Sequence, residues 1–252
     1  MVARPTISII TASFNSAKDL PKLLDSLRGQ TDRDFGCTII DGESTDHSWN
    51  IIESSNDVVT RSIREPDHGI YDALNKGIRS AATDYYLVCG ADDLLYPTAI
   101  ENFRKVIRES DADIVVAAVR ANNVTRRGFH RHRSWLGHAA MVTSHSVGML
   151  IRSSLHDRFG YYSLRYPMLA DGYFIKLACN APDVAIIAAD FVAGEFGMQG
   201  NSNSDIVQVL CESWQIQMNT GENRLLSYLL FQCRLLKNLP QILRRRTAKP
   251  GG

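Results

Sequence analysis

Four short, nearly continuous apolar runs in the first ninety residues each end in a polar cluster, and helix-patterned sequence separates one run from the next. TISIIT (Thr6–Thr11) gives way to TASFNS, and FGCTII (Phe35–Ile40) to DGESTD. A weaker run near Thr60–Arg64 leads into EPDHG, and the run Tyr85–Cys89 into GADD. Between them, Leu20, Leu23, Leu24 and Leu27 share one helical face, a short helix is expected around Trp49–Ile52, and Ala73, Leu74, Gly77, Ile78 and Ala81 form a second stripe. A helix from about Thr98 to Glu109 precedes a fifth apolar run, DIVVAAV. Strands without polar alternation must be covered on both faces, so the pattern argues an α/β fold built on a doubly wound, parallel sheet. Ligands of such sheets bind at the carboxyl ends of the strands, where all four polar clusters fall.

The pair Asp92–Asp93 sits directly after an apolar strand, and two adjacent carboxylates there repel unless a cation lies between them. Paired carboxylates suit Mg²⁺ or Mn²⁺, which take oxygen ligands and commonly bridge to substrate phosphates. A turn would explain the same residues individually; what favours a site is that Asp41 and Asp92–Asp93 end strands of one sheet. The chain has no G-x-x-x-x-G-K-[ST] loop and no G-x-G-x-x-G turn, which argues against a P-loop NTPase or a dinucleotide oxidoreductase.

The second half is less regular. A basic, aromatic run (RRGFHRHRSW) precedes a strand-like VGMLIR, then YYSLRYPMLADGYFIKLACNA, a strand near Val184–Ala188, and FVAGEFGMQGNSNS. Helices are expected from Asp205 to about Met218 and from Leu225 to Leu239. Net charge is +1, so no global field points to nucleic acid. The five cysteines are odd in number and scattered, as expected of reduced core thiols in a cytoplasmic protein. His130, His132, His138 and His145 have no nearby cysteine and match no standard zinc spacing. No stretch approaches the roughly 18 apolar residues of a membrane span. Residues 221–252 combine a leucine-rich face with seven Lys/Arg against one acid, which suits either a helix lying at an anionic membrane surface or one packed on the rest of the protein.

Several of these segments, in order, resemble family 2 glycosyltransferases, the inverting enzymes of GT-A fold that use nucleotide-diphosphate sugars in bacterial polysaccharide and glycolipid biosynthesis. SIITASFNS is similar to that family's first strand and nucleotide-binding turn, implying donor contacts from Thr11, Ala12, Ser13 and Asn15. DGESTD resembles its second turn, implying that Asp41 binds the base, and REPDHGIYDALNKGI brings His68, Gly69 and Asn75 to the donor. GADDLLYP resembles the metal-binding turn, with Ala91 and Asp92 toward the nucleotide and Asp92 and Asp93 toward Mg²⁺ or Mn²⁺. LADGYFIKLA is similar to the segment that carries the catalytic base, here Asp171, and His145 takes the place of a histidine that assists near the diphosphate. The chain departs from the family where many relatives have D-x-D-D and this one has Gly90-Ala91-Asp92-Asp93, and where relatives pair two acids and this one has Ala170-Asp171.

The resemblance implies a GT-A domain over residues 1–205, with a nucleotide-sugar half (1–120) and an acceptor half (121–205), followed by a helical extension (206–252). The acceptor would be a glycan or a lipid-linked glycan, and the protein cytoplasmic; the C-terminal pattern leaves open peripheral contact at the inner face of the membrane or packing on the domain. Two other readings stay open. One is a sugar-phosphate nucleotidyltransferase, which would want a glycine-rich basic first loop that TASFNS lacks; the other is an inactive nucleotide-sugar-binding module.

Overall fold

The computed structural model describes residues 4–137, 145–197 and 205–247. Strands β1 (Ile7–Ser13), β2 (Gly36–Asp41), β3 (Arg61–Arg64) and β4 (Tyr85–Val88) alternate with helices α1 (Leu20–Arg28), α2 (Ser48–Ser54) and α3 (Ile70–Ala81). Short β5 (Leu94–Leu95) leads to α4 (Ala99–Ser110), then β6 (Ile114–Ala121) and β7 (Val124–Arg126). A 3₁₀ turn (Arg131–Leu136) follows, and another (Ser146–Gly148) enters β8 (Met149–Arg152). The chain continues through α5 (Leu155–Phe159), α6 (Ala170–Asn180), β9 (Ile186–Glu195), α7 (Ile206–Asn219) and α8 (Arg224–Thr247).

The sheet order is β3-β2-β1-β4-β8-β6-β9-β5, with β7 paired to β6. The first four strands are mutually parallel, as the alternation with helices requires. The other half is mixed. β8 runs antiparallel to both β4 and β6, filling the gap between them, while β9 is parallel to β6. Among the described residues no long crossover helix separates β6 from β8, and the two strands pair antiparallel. Both directions bury the same apolar run, which is why VGMLIR marks a strand but not its sense.

Burial on two faces explains the apolar strands. Ile7 and Ile9, Leu87, Val115 and Ala117 pack beneath α1 and α4, whereas Ile10, Tyr86, Ile114 and Val116 face α3, α5 and α6. α7 reaches the second layer through Ile216. Cys37, Cys89 and Cys179 are buried, Cys211 is half-buried and Cys233 exposed. The helix expected to stop at Leu239 continues through Pro240, an exposed position where the lost backbone hydrogen bond can be met by water.

The second layer contains a buried polar chain. Gly160 O can only accept, so His156 Nδ1 carries the proton it donates there (3.0 Å), and Nε2 accepts from Tyr86 OH at 2.8 Å. Tyr86 OH in turn lies 3.0 Å from Tyr162 OH. The imidazole stacks on Phe174 and Tyr161, with Asp157 and Arg79 the nearest charges, and burial pulls its pKa below 6.5. A lowered histidine pKa means the unfolded chain takes up more protons, so stability is full above pH 6.5 and declines as pH falls through the folded-state value. Relative to His156→Phe, the wild-type unfolding free energy from urea titration is expected to fall between pH 6.5 and 5.5 by up to about 1.4 kcal/mol per pH unit.

Candidate active site

The ends of β1 and β2 are tied together by short polar side chains. Asn15, at φ 50°, donates its amide N–H to Ser44 Oγ (2.8 Å) and accepts from Thr45 N on Oδ1 (2.9 Å). Both Asp41 carboxylate oxygens accept Ser44 N, at 3.0 and 3.1 Å, and Asp41 is fully buried. Asp41 therefore sits beneath the turn that follows β2 and shapes it. Asp46 completes the tie by accepting from Ala17 N (3.1 Å) and Ser48 N (2.9 Å). Thr11 and Ser13 are buried with hydroxyls that have no hydrogen-bond partner among the described residues, and Ala12 lies half-buried between them.

The EPDHG loop is braced from α3. Lys76 Nζ donates to Pro66 O (2.7 Å) and pairs with Glu65 (3.0 Å) and Asp72 (3.3 Å), while Asp72 accepts His68 N at 3.1 Å. His68 and Gly69 are exposed, Gly69 with a φ of 102°. Asp67 accepts Gly69 N at 2.9 Å through Oδ1, and its Oδ2 occupies the space a Cβ on Gly42 would need, near the 62% exposed ring of Phe14. Asn75 does not reach this surface. It is 4% exposed, with Nδ2 donating to Tyr162 O (2.8 Å) and Oδ1 accepting Tyr162 N (2.9 Å), so it staples α3 to the segment before α6.

The two adjacent aspartates have different environments. Asp93 is 1% exposed and accepts Gly90 N (2.6 Å) and Gly197 N (2.8 Å), one on each oxygen. Burial pushes its pKa up to about 7, against the two backbone donors. Asp92 and Ala91 are half-buried at the turn, and Asp92 packs so closely under Gly197 that a Cβ there would overlap its carboxylate. Asp93 thus fastens the end of β9 to the GADD turn, and Asp92 is the carboxylate left nearer the surface.

Asp171 stands in the first turn of α6, half-buried, accepting Tyr71 OH and Gly172 N, both at 2.7 Å through Oδ1. Tyr71 also donates to Met168 O at 3.1 Å; burial and the Asp171 charge hold its phenol well above the ordinary pKa. His145 lies beside the end of β9. Its ring stacks on Phe196 at 3.8 Å, next to Gly197, and it lies within the electrostatic reach of Asp171 and Arg126; burial lowers its pKa.

Glu212 of α7 is a residue that sequence reasoning missed. It is 4% exposed, and Oε2 accepts Met168 N and Leu169 N, both at 3.0 Å, at the N-terminus of α6. An anion there satisfies two orphan donors and opposes the helix dipole. Its signal, a lone acid in an otherwise apolar helix, is indistinguishable in sequence from a solvated residue. Glu212→Leu is expected to cost about 1–3 kcal/mol by leaving both N–H groups unsatisfied, read as a lowered melting temperature.

Among the described residues, no group of three or more His, Cys, Asp or Glu is placed to hold a metal ion unaided. Asp92 offers one carboxylate beside the strand ends, which fits a hard divalent cation that takes most of its remaining ligands from phosphate and water. Residues 198–204 of the FGMQGNSNS segment lie outside the described residues, as does His138.

The mixed sheet thus carries turn-borne carboxylates at its strand ends, with a further acid, Asp171, in the first turn of α6. Residues 8–174 match the model of glycosyl transferase family 2, and the chain belongs to that family. It is 31% identical over 214 residues to the PGL/p-HBAD biosynthesis glycosyltransferase of Mycobacterium tuberculosis, covering 82% of each chain. It is 26% identical over 194 residues to the chondroitin synthase of Pasteurella multocida, covering 76% of this chain and 19% of that one. Among solved structures, the fold is similar to S. aureus TarS 1–349 with UDP-GlcNAc (TM-score 0.66, 16% identity, 92% of this chain and 73% of that one). It is also similar to the mannosyltransferase PcManGT of Pyrobaculum calidifontis in complex with GDP-Man and Mn²⁺ (TM-score 0.67, 14% identity, 95% and 76%). The protein is a glycosyltransferase of GT-A fold.

Proposed function

We propose that this enzyme transfers a sugar, with inversion, from a nucleotide-diphosphate sugar to a hydroxyl of a glycan or lipid-linked glycan, with Asp171 as general base. The observation that carries this reading is the convergence of Asp171, His145, Phe196, Gly197 and Asp93 on one end of the sheet. It brings an acid on the acceptor side next to the turn of Asp92. The solved complexes of similar fold with UDP-GlcNAc and with GDP-Man support a nucleotide-sugar donor. The unpartnered Thr11 and Ser13 hydroxyls and the exposed Phe14 mark the donor end.

Each residue then has a stated task. Asp171 uses one oxygen to hold Tyr71 OH and Gly172 N, which orients the other to take the acceptor hydroxyl proton. Asp92 would hold Mg²⁺ or Mn²⁺ together with the donor diphosphate, and Asp93 keeps the turn in place. When bound, the metal offsets the negative charge that builds on the departing nucleotide. Asp41 and Asn15 support the donor loop from below, and His68 and Gly69 border it.

Screening UDP-, GDP- and dTDP-sugars for slow donor hydrolysis tests this reading without knowledge of the acceptor. One donor is expected to be cleaved, EDTA to abolish cleavage, and Mn²⁺ or Mg²⁺ to restore it. Undiminished cleavage after rigorous chelation would remove the metal from the scheme. Release of pyrophosphate from a nucleoside triphosphate and a sugar phosphate would identify a nucleotidyltransferase instead.

A further inference from the structure

Helix α8 packs on the protein by one side only. Trp214 of α7 stacks on Phe231 at 5.2 Å and meets Tyr228 edge-on at 6.4 Å, while Arg234 donates to Leu136 O and to Ser213 Oγ. The opposite side carries Leu225 (68% exposed), Leu229 (51%), Leu236 (66%) and Leu243 (52%). At about 100° per residue these four leucines lie within about 40° of each other on the helix circumference. Packing therefore does not explain the leucine stripe.

The charges around the stripe say what does. Arg224 and Lys237 are exposed and flank it on its two sides, and the helix contains no Asp or Glu from Arg224 to Thr247. A second copy of this helix would bring cations together with no acid on either helix to pair with them, so charge disfavours a coiled-coil partner. An apolar stripe edged by cations is the arrangement that lies in a bilayer interface, leucines in the acyl boundary and cations at anionic headgroups. No described helix is long and apolar enough to cross a membrane.

We propose that α8 docks the enzyme flat on an anionic lipid surface. The full chain is sedimented with vesicles of phosphatidylcholine alone and of phosphatidylcholine and phosphatidylglycerol in equal parts, at low and high salt. Binding is expected only to the mixed vesicles, weakened by salt. Leu229→Glu with Leu236→Glu, both at exposed sites and distant in role from the chemistry, is expected to weaken binding at least about tenfold with the melting temperature unchanged. Lys237→Glu should weaken binding and flatten its salt dependence. Failure of the wild-type chain to bind mixed vesicles at low salt overturns the proposal, as does binding indifferent to the leucine substitutions. A concentration-dependent dimer in the ultracentrifuge that the same leucine substitutions abolish would assign the face to a second copy instead.

Discussion

Asp171→Asn is expected to lower turnover by about 10²–10⁴-fold, the usual cost of losing a general base. The amide keeps the shape of the carboxylate and can still accept Tyr71 OH and Gly172 N through its oxygen, so α6 should keep its position. What is lost is the basic oxygen proposed to take the acceptor proton. Nucleotide-sugar affinity, measured by calorimetry, should stay near the wild-type value, because the proposal assigns the donor to the strand-end loops and Asp92. Normal turnover in the variant would leave Asp171 only a residue of the first helical turn. Lost donor affinity would place it in the donor site and end the division into two halves.

Gly197→Ala is expected to disable the site through a single methyl group. A Cβ at this position overlaps the Asp92 carboxylate and crowds its main-chain oxygen, so the clasp between β9 and the GADD turn must open. Opening it breaks the Gly197 N–H bond to the buried Asp93 and moves Asp92 from where a cation would meet the diphosphate. Misplacement by about 1 Å can cost on the order of 10²-fold in rate. The expected signature is a collapsed rate and a raised requirement for Mn²⁺ or Mg²⁺. Combining it with Asp92→Asn should add little, since both changes remove one function. Full additivity would mean that Gly197 and Asp92 act separately.

The site was legible in the sequence to different depths. The polar clusters TASFNS, DGESTD, EPDHG and GADD do all gather at one end of the sheet, as their position after apolar runs predicts. The tasks of single acids within the clusters were less legible. Asp41 and Asp93 stand among the expected ligand contacts, and both are buried and engaged by backbone N–H groups, because a strand-end turn must satisfy its own amides before it can serve a ligand. Asn75, on a helix face next to a recognisable loop, is consumed by the Tyr162 backbone. Asp67 stood in the EPDHG cluster, but its approach to Gly42 depends on the packing of β3 beside β2.

The sequence by itself determined which segments are strands, since burial on both faces demands uninterrupted apolar runs, and which turns close them, since Asp, Asn, Ser and Gly favour those backbone shapes. It determined the family through the order of those turns. Tertiary structure alone decided the antiparallel sense of β8, because an apolar run buries equally well in either direction. It also decided that Asp93 is paid for by Gly197 from 104 residues away, and that Glu212 of α7 anchors the start of the helix bearing Asp171. Such contacts join residues with no local relation in the chain, and only the closing of the sheet brings their backbone donors within reach of a buried carboxylate.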